Sequence, residues 1–211
     1  MKVKGFFVAA FVAIAAMVNA QPANDAGAIY GVKSGIVTTE SEMMGQTMVQ
    51  VRYFDDYGKK QATEMDFGGG KMRIIQVDGD NIMVNEDQKT ATRMPGMGGF
   101  GGRGGAQVNF MNLTEDVIKN NNIKEIGEEV VAGKTCKKYS MSVSQMGQSS
   151  EAVVWVYKGV TLKTETQSQM GTMVQAATKF EENANIPASM FTVPEGITVQ
   201  DMDMNMMGGG F

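Results

Sequence analysis

Apolar residues at every second position, in short runs divided by tight polar turns, do most to narrow what this chain can fold into. From Gln46 to Phe54 the run QTMVQVRYF sets Val49, Val51 and Tyr53 on one side and Met48, Gln50, Arg52 and Phe54 on the other. That is the period of two of an extended strand. Asp55-Asp56-Tyr57-Gly58 then turns the chain, and KQATEMDF can return antiparallel. KMRIIQV follows, with Asp78-Gly79-Asp80-Asn81 as a tight hairpin turn and NIMVN as its partner. A turn at Glu86-Asp87-Gln88 leads into KTATRM. After the midpoint come KEIGEEVV, a turn at Ala132-Gly133-Lys134, TCKKYSMSV, EAVVWVY, a turn at Lys158-Gly159, TLKTETQS, a turn at Met170-Gly171 and TMVQAATKF. Connections this short make consecutive strands antiparallel neighbours.

One segment, LTEDVIKN, reads as helix, with Asn112 as N-cap, Glu115 three positions on and the asparagines 120–122 ending it. The pattern therefore predicts a mainly β fold. An antiparallel sheet of this length does not stay flat, so it is expected to curl into an incomplete, half-open barrel with the short helical insert over its open side. A faint internal echo runs through it: MMGQTMVQVRYFDD from Met43 resembles QMGTMVQAATKFEE from Gln169, with the spacing drifting by one residue along the match. Similar hairpin chemistry accounts for the echo as well as a duplication does.

The address is written in the first twenty residues. Lys2 and Lys4, an apolar run from Phe6 to Val18 and the small residues before Gln21 spell a secretory signal peptide, with cleavage expected after Ala20. The run falls short of the roughly 20 apolar residues of a membrane span. The sole cysteine, Cys136, lies far from the cleavage point, so no lipoprotein anchor is expected there. The mature protein is thus expected to be periplasmic or secreted and not membrane-spanning, with a single β-rich domain over 21–200, a Gly/Met-rich loop at 94–106 and a Met/Gly-rich tail at 201–211. An outer-membrane barrel is disfavoured, because few of the runs approach roughly 10 residues with an unbroken lipid-facing side.

Composition removes several classes of function. A chain with no histidine and one cysteine has no Ser-His-Asp or Cys-His arrangement and no histidine-bound metal. Adjacent acids such as Asp55 with Asp56, or Glu128 with Glu129, point to opposite faces of a strand and cannot work as an acid and base pair. A formal net charge of −4 argues against nucleic acid. One cysteine allows no internal disulfide, and Cys136 reads as a small buried hydrophobe. The glycine-rich loop lacks a Gly-Lys-Ser/Thr ending and does not lead from a strand into a helix, so it is not a phosphate loop.

The later hairpins resemble a known group. GKTCKKYSM, then VVWVYKGVTLKTET, a methionine and glycine turn, and NIPASMFTVPEGITV are similar to the second half of secreted bacterial proteins of the lipoprotein-carrier, LolA/LolB-like, superfamily. The likeness is greatest to a branch of unknown function and spans about Ile29 to Val199. Its most specific pieces are Gly133 with Cys136 and Tyr139, the Trp155 strand and the segment from Pro187 to Gly196. The resemblance implies an incomplete antiparallel barrel around an apolar cavity, closed by helices, that receives acyl chains, with no catalytic residues and no cofactor.

Methionine carries the case for a binding surface. The chain has 20, and Met48, Met72, Met83, Met141 and Met173 occupy strand positions. An unbranched, polarizable thioether repacks around partners of different shape, and it also fills ordinary cores. The function expected is non-catalytic: a binding or carrier protein for an apolar small molecule, an acyl chain or a lipidated partner, with an envelope protein as a further possible partner. The candidate ligand-binding residues are Val49, Val51, Tyr53, Met72, Ile74, Val153, Trp155, Tyr157, Val174, Ala176 and Phe180. The alternative is a Cu(I) or Ag(I) binder using Met202, Met204, Met206 and Met207, whose thioethers suit soft ions. A structural or protein-interaction domain of the cell envelope is the third reading.

Overall fold

The computed structural model describes residues 27–43, 46–66, 70–94, 108–145, 148–168 and 171–202. The leader, most of the Gly/Met-rich loop and Met204, Met206 and Met207 lie outside them. Twelve strands form one sheet: β1 (Gly35–Met43), β2 (Gln46–Asp55), β3 (Lys60–Asp66), β4 (Lys71–Val77), β5 (Asp80–Asn85), β6 (Thr90–Arg93), β7 (Lys124–Val131), β8 (Lys134–Gln145), β9 (Gln148–Tyr157), β10 (Val160–Ser168), β11 (Gly171–Glu182) and β12 (Val199–Asp201). Their order is β12-β6-β5-β4-β3-β2-β1-β11-β10-β9-β8-β7. Every pairing is antiparallel except that of β12 with β6. The sheet curls without closing into a barrel, as the alternation predicts.

The turns are those that the residues dictate. Asp78-Gly79, Ala132-Gly133 and Lys158-Gly159 each hold two successive positive φ angles, 53° and 85°, 48° and 74°, and 46° and 81°. Such turns match the right-handed twist of the strands that they join, and glycine enters the second position without steric cost. The single α-helix, α1 (Glu115–Asn120), begins two residues later than the sequence suggests: Thr114, not Asn112, is the N-cap, and its hydroxyl accepts from the Val117 N–H at 3.3 Å. Asn112 instead lies just before the helix, its N–H bonded to the Asn109 carbonyl.

Two strands escape the sequence pattern, β1 and the short β12. β1, GIVTTESEM, mixes polar residues into both faces, yet it lies at the middle of the sheet between β2 and β11. The two flanking strands are the two copies of the internal echo. Its one-residue drift is a β-bulge: Thr38 pairs with Lys179 and Thr39 with Ala177, so Thr178 is the extra residue.

Three segments outside the sheet cover parts of it. Residues 27–34 place Tyr30 and Val32 against Val37, Phe54, Trp155 and Phe180 in the largest core cluster. The stretch around α1 packs Phe110, Leu113 and Val117 on Tyr139, Met141, Ala152 and Val154. The C-terminal stretch packs Val193, Ile197 and Val199 on Ile75, Val84 and Ala91.

Gly35 marks the tightest point of the largest cluster. A Cβ there would lie 2.6 Å from the Phe54 ring and 2.9 Å from the Phe180 ring. Both rings are held, with Phe54 fully buried and in edge contact with Tyr30 at 4.8 Å. Gly35→Ala is therefore expected to destabilise the fold by about 1–3 kcal/mol through overpacking, read as a lower urea midpoint at unchanged slope.

Candidate ligand-binding site

Residues paired across a ladder share a face, so the registers sort the strand side chains into two sets. One set runs Met83, Ile74, Thr63, Arg52, Val37, Phe180. A second row of that face reads Met72, Met65, Gln50, Thr39, Ala177. A third reads Met48, Ser41, Gln175, Thr164, Val154, Tyr139, and a fourth Met173, Thr166, Ala152, Met141. All five strand methionines singled out in the sequence thus share one face, together with Met65. Arg52 is the one charged side chain in these four rows as far as β8, and Glu125 of β7 pairs with Tyr139 at the edge of the third.

The opposite face carries the charge. Its rows read Val49, Glu40, Ala176, Lys163, Trp155, Lys138, then Val51, Glu64, Arg73, Val84, and Val174, Glu165, Val153. Val49 and Val174 are exposed there, at 44% and 39%.

The expected ligand-binding residues therefore divide. Met72 and Ile74 lie on the methionine face, and Phe180 lies at its end inside the core. Val49, Val51, Tyr53, Val153, Trp155, Tyr157, Val174 and Ala176 belong to the opposite face, so the structure does not gather the full set on one surface. Alternation fixes parity within a strand. Parity between strands depends on turn length and on bulges, such as those at Thr178 and between Thr161 and Lys163.

Trp155 is 1% exposed and roofed. Lys163 Nζ stands 4.1 Å and Lys138 Nζ 4.6 Å from its ring centroid, and Nε1 donates to Glu129 Oε2 at 2.8 Å. The tryptophan is thus satisfied on all sides by its cross-strand neighbours. Tyr157 meets Phe180 edge-on at 6.1 Å under the Lys134 ammonium. Cys136 is fully buried, and burial pushes its thiol up, which suits the small hydrophobe that the sequence suggests.

Met48, Met65, Met72, Met83 and Met173 belong to none of the three core clusters, and only Met141 does. Met48, Met72 and Met83 are half-buried, and Met173 is 42% exposed. Arg52 makes a contact across several strands here. Its Nη2 donates to the Thr161 carbonyl of β10 at 2.8 Å, although β1 and β11 lie between β2 and β10. On a flat sheet those strands would stand roughly 14 Å apart. The contact therefore brings β2 and β10 together over the methionine face, while Lys163 of β10 and Trp155 of β9 reach Glu129 of β7 across the opposite one. A cleft of about 300 Å³ lies between the β4–β5 turn and the C-terminal stretch, walled by Ile75, Val77, Ile82, Phe191 and Val193 with Asp78 and Asp80.

For the soft-metal alternative, the Met202 N–H extends β12 with a bond to the Arg93 carbonyl at 3.0 Å, while its three companions lie outside the described residues. Among the described residues no group of three or more His, Cys, Asp or Glu is placed to hold a metal ion.

No protein-family model matches the chain, and no curated protein sequence matches it either. Solved structures do. An uncharacterized conserved protein from Thermus thermophilus superposes with a TM-score of 0.55 at 10% identity, over 81% of this chain and 91% of its own. The MucA/MucB complex of Pseudomonas aeruginosa gives 0.47 at 14% identity over 76% of this chain, which spans 56% of that partner. A putative outer membrane lipoprotein-sorting protein domain from Vibrio parahaemolyticus gives 0.39 at 14%, over 75% and 89%. The likeness is one of fold.

Glu182 fastens β11 to the rim of the curl. It accepts from Lys134 Nζ and, at 3.2 Å, from Lys158 Nζ. Burial pushes its carboxyl up, but hydrogen bonds from Lys134, Lys158 and Tyr157 outweigh burial and hold it below the ordinary glutamate range. A depressed carboxylate stabilises the fold at pH values above its unfolded pKa, and that stability is lost as pH falls through the folded value. Unfolding free energy is therefore expected to fall below the ordinary glutamate range, and Glu182→Gln to flatten that part of the profile, as urea denaturation across acidic pH will show.

Proposed function

We propose that this is an extracytoplasmic, non-catalytic binding or carrier protein that holds an apolar ligand, an acyl chain or a lipidated partner, against the methionine face of its curled sheet. The observation that carries the reading is the grouping of six strand methionines on one face, in rows whose charged side chains are Arg52 and, at the far edge, Glu125. A core explanation would bury these side chains, and it holds for Met65 and Met141, while Met48, Met72, Met83 and Met173 are half-buried or exposed and lie outside the core clusters. Thioethers present a soft apolar surface that adapts to chains of different shape. Met72 and Ile74 are the members of the expected site that this surface retains, joined by Met48, Met65, Met83 and Met173. The leader supports export, and the reading needs no cofactor.

Native mass spectrometry of the mature protein, purified gently from its own compartment without added metal or detergent, tests it. The wild type is expected to carry an adduct of lipid mass. Met72→Asp, which puts a carboxylate on the methionine face, is expected to lower occupancy by about tenfold or more, while Val49→Asp on the opposite face leaves it unchanged. Thermal melts establish that both variants fold. Loss of the adduct in Val49→Asp alone would move the ligand to the other face, and increments of copper mass would replace the reading with the soft-metal one.

A further inference from the structure

We infer that the ligand of the methionine face is an anionic amphiphile whose single negative head group is held by Arg52, a conclusion that rests on the reading above and names the class of its ligand. Arginine cannot shed its charge, and a charge taken from water without a partner costs several kcal/mol, so proteins pair such groups. The other two arginines of the described residues obey this. Arg73 meets Glu86 at 2.6 Å, and Arg93 meets Asp201 at 3.0 Å and Asp80 at 3.3 Å.

Arg52 has no such counter-ion among the described residues. The residue is half-buried, its one hydrogen bond there is to the neutral Thr161 carbonyl, and its Nε, like those of Arg73 and Arg93, is buried without a hydrogen-bond partner, so what sets it apart is the missing carboxylate. Its cross-strand neighbours, Val37 and Thr63, are uncharged, as are Gln50 and Phe54 on the same face of its own strand. The guanidinium is therefore pinned at one nitrogen to the far side of the curl, while a buried donor stays open and no carboxylate neutralises it. Its planar fork fits a carboxylate or a phosphate with two parallel bonds. Gln50 and Thr63 stand beside it to complete a polar head-group niche, and the row of Met65 and Met72 continues the same face for the apolar chain.

The test titrates the mature protein by calorimetry with dodecanoate, dodecyl phosphate and the neutral dodecanol, each below its micellar concentration. The anions are expected to bind about tenfold to hundredfold tighter than the alcohol, the worth of a charge-assisted contact. Whichever of dodecanoate and dodecyl phosphate binds tighter identifies the head group. Arg52→Gln should bring the anions down to the level of the alcohol and leave the alcohol unchanged, and Arg52→Lys should restore part of the preference. If Arg52→Gln does not fold, the wild-type comparison and Arg52→Lys decide. Equal binding of all three compounds would overturn the anionic head group and leave the apolar site standing. Binding of none would overturn both.

Discussion

The pairing of β1 with β2 on one side and β11 on the other holds the rest together. It joins strands far apart in the chain, Thr38 to Lys179 and Val37 to Phe180, and every other strand is reached through one of those two neighbours. Contacts so distant in sequence must overcome a large loop-closure entropy. They are reinforced where the loss would be greatest: Gly35, Val37, Phe54 and Phe180 meet at one end of β1, and residues 27–34 close over them. The Tyr30 N–H bonds to the Tyr57 carbonyl after β2 and the Gly31 N–H to the Lys158 carbonyl after β9, so the same segment ties both halves of the sheet. With no disulfide available, this junction does the work of a covalent staple.

The echo acquires a physical meaning at that junction. Met48 and Met173, Gln50 and Gln175, and Phe54 and Phe180 stand on either side of β1 on the same face. The extra residue in the second copy, Thr178, is accommodated as a bulge, which bends β11 and increases its local twist. A repeat that drifts by one residue looks like a failed match in a sequence. In a sheet it is a good match with a kink in it, and the kink helps to curl the surface.

Most of the strands and turns were legible because each depends on local chemistry: alternation within a run, and a glycine at the second position of a two-residue turn. β1 was not, since its burial comes from its neighbours and not from its own apolar residues. The Asn112 cap failed for a similar reason, Thr114 offering the same chemistry two residues on. The candidate site was half legible. Methionine content pointed to an adaptable surface, but the grouping of residues from different strands requires the register, and Trp155 was chosen for its apolar bulk when its Lys138, Lys163 and Glu129 neighbours already satisfy it.

The distribution of charge between the two faces is what supports the proposed ligand surface. Such a sheet usually buries one face and wets the other. Here the charged face is itself covered over β3 to β6 by the C-terminal stretch, and Arg73 is held there by Glu86 and the Ser189 carbonyl. The methionine face is covered at two places, by residues 27–34 and by the stretch around α1. Met48, Met72 and Met83 belong to neither cluster. Flexible apolar side chains in that position, beside an arginine with no counter-charge, are poor material for a rigid core. They suit a surface whose last neighbour is not part of the fold.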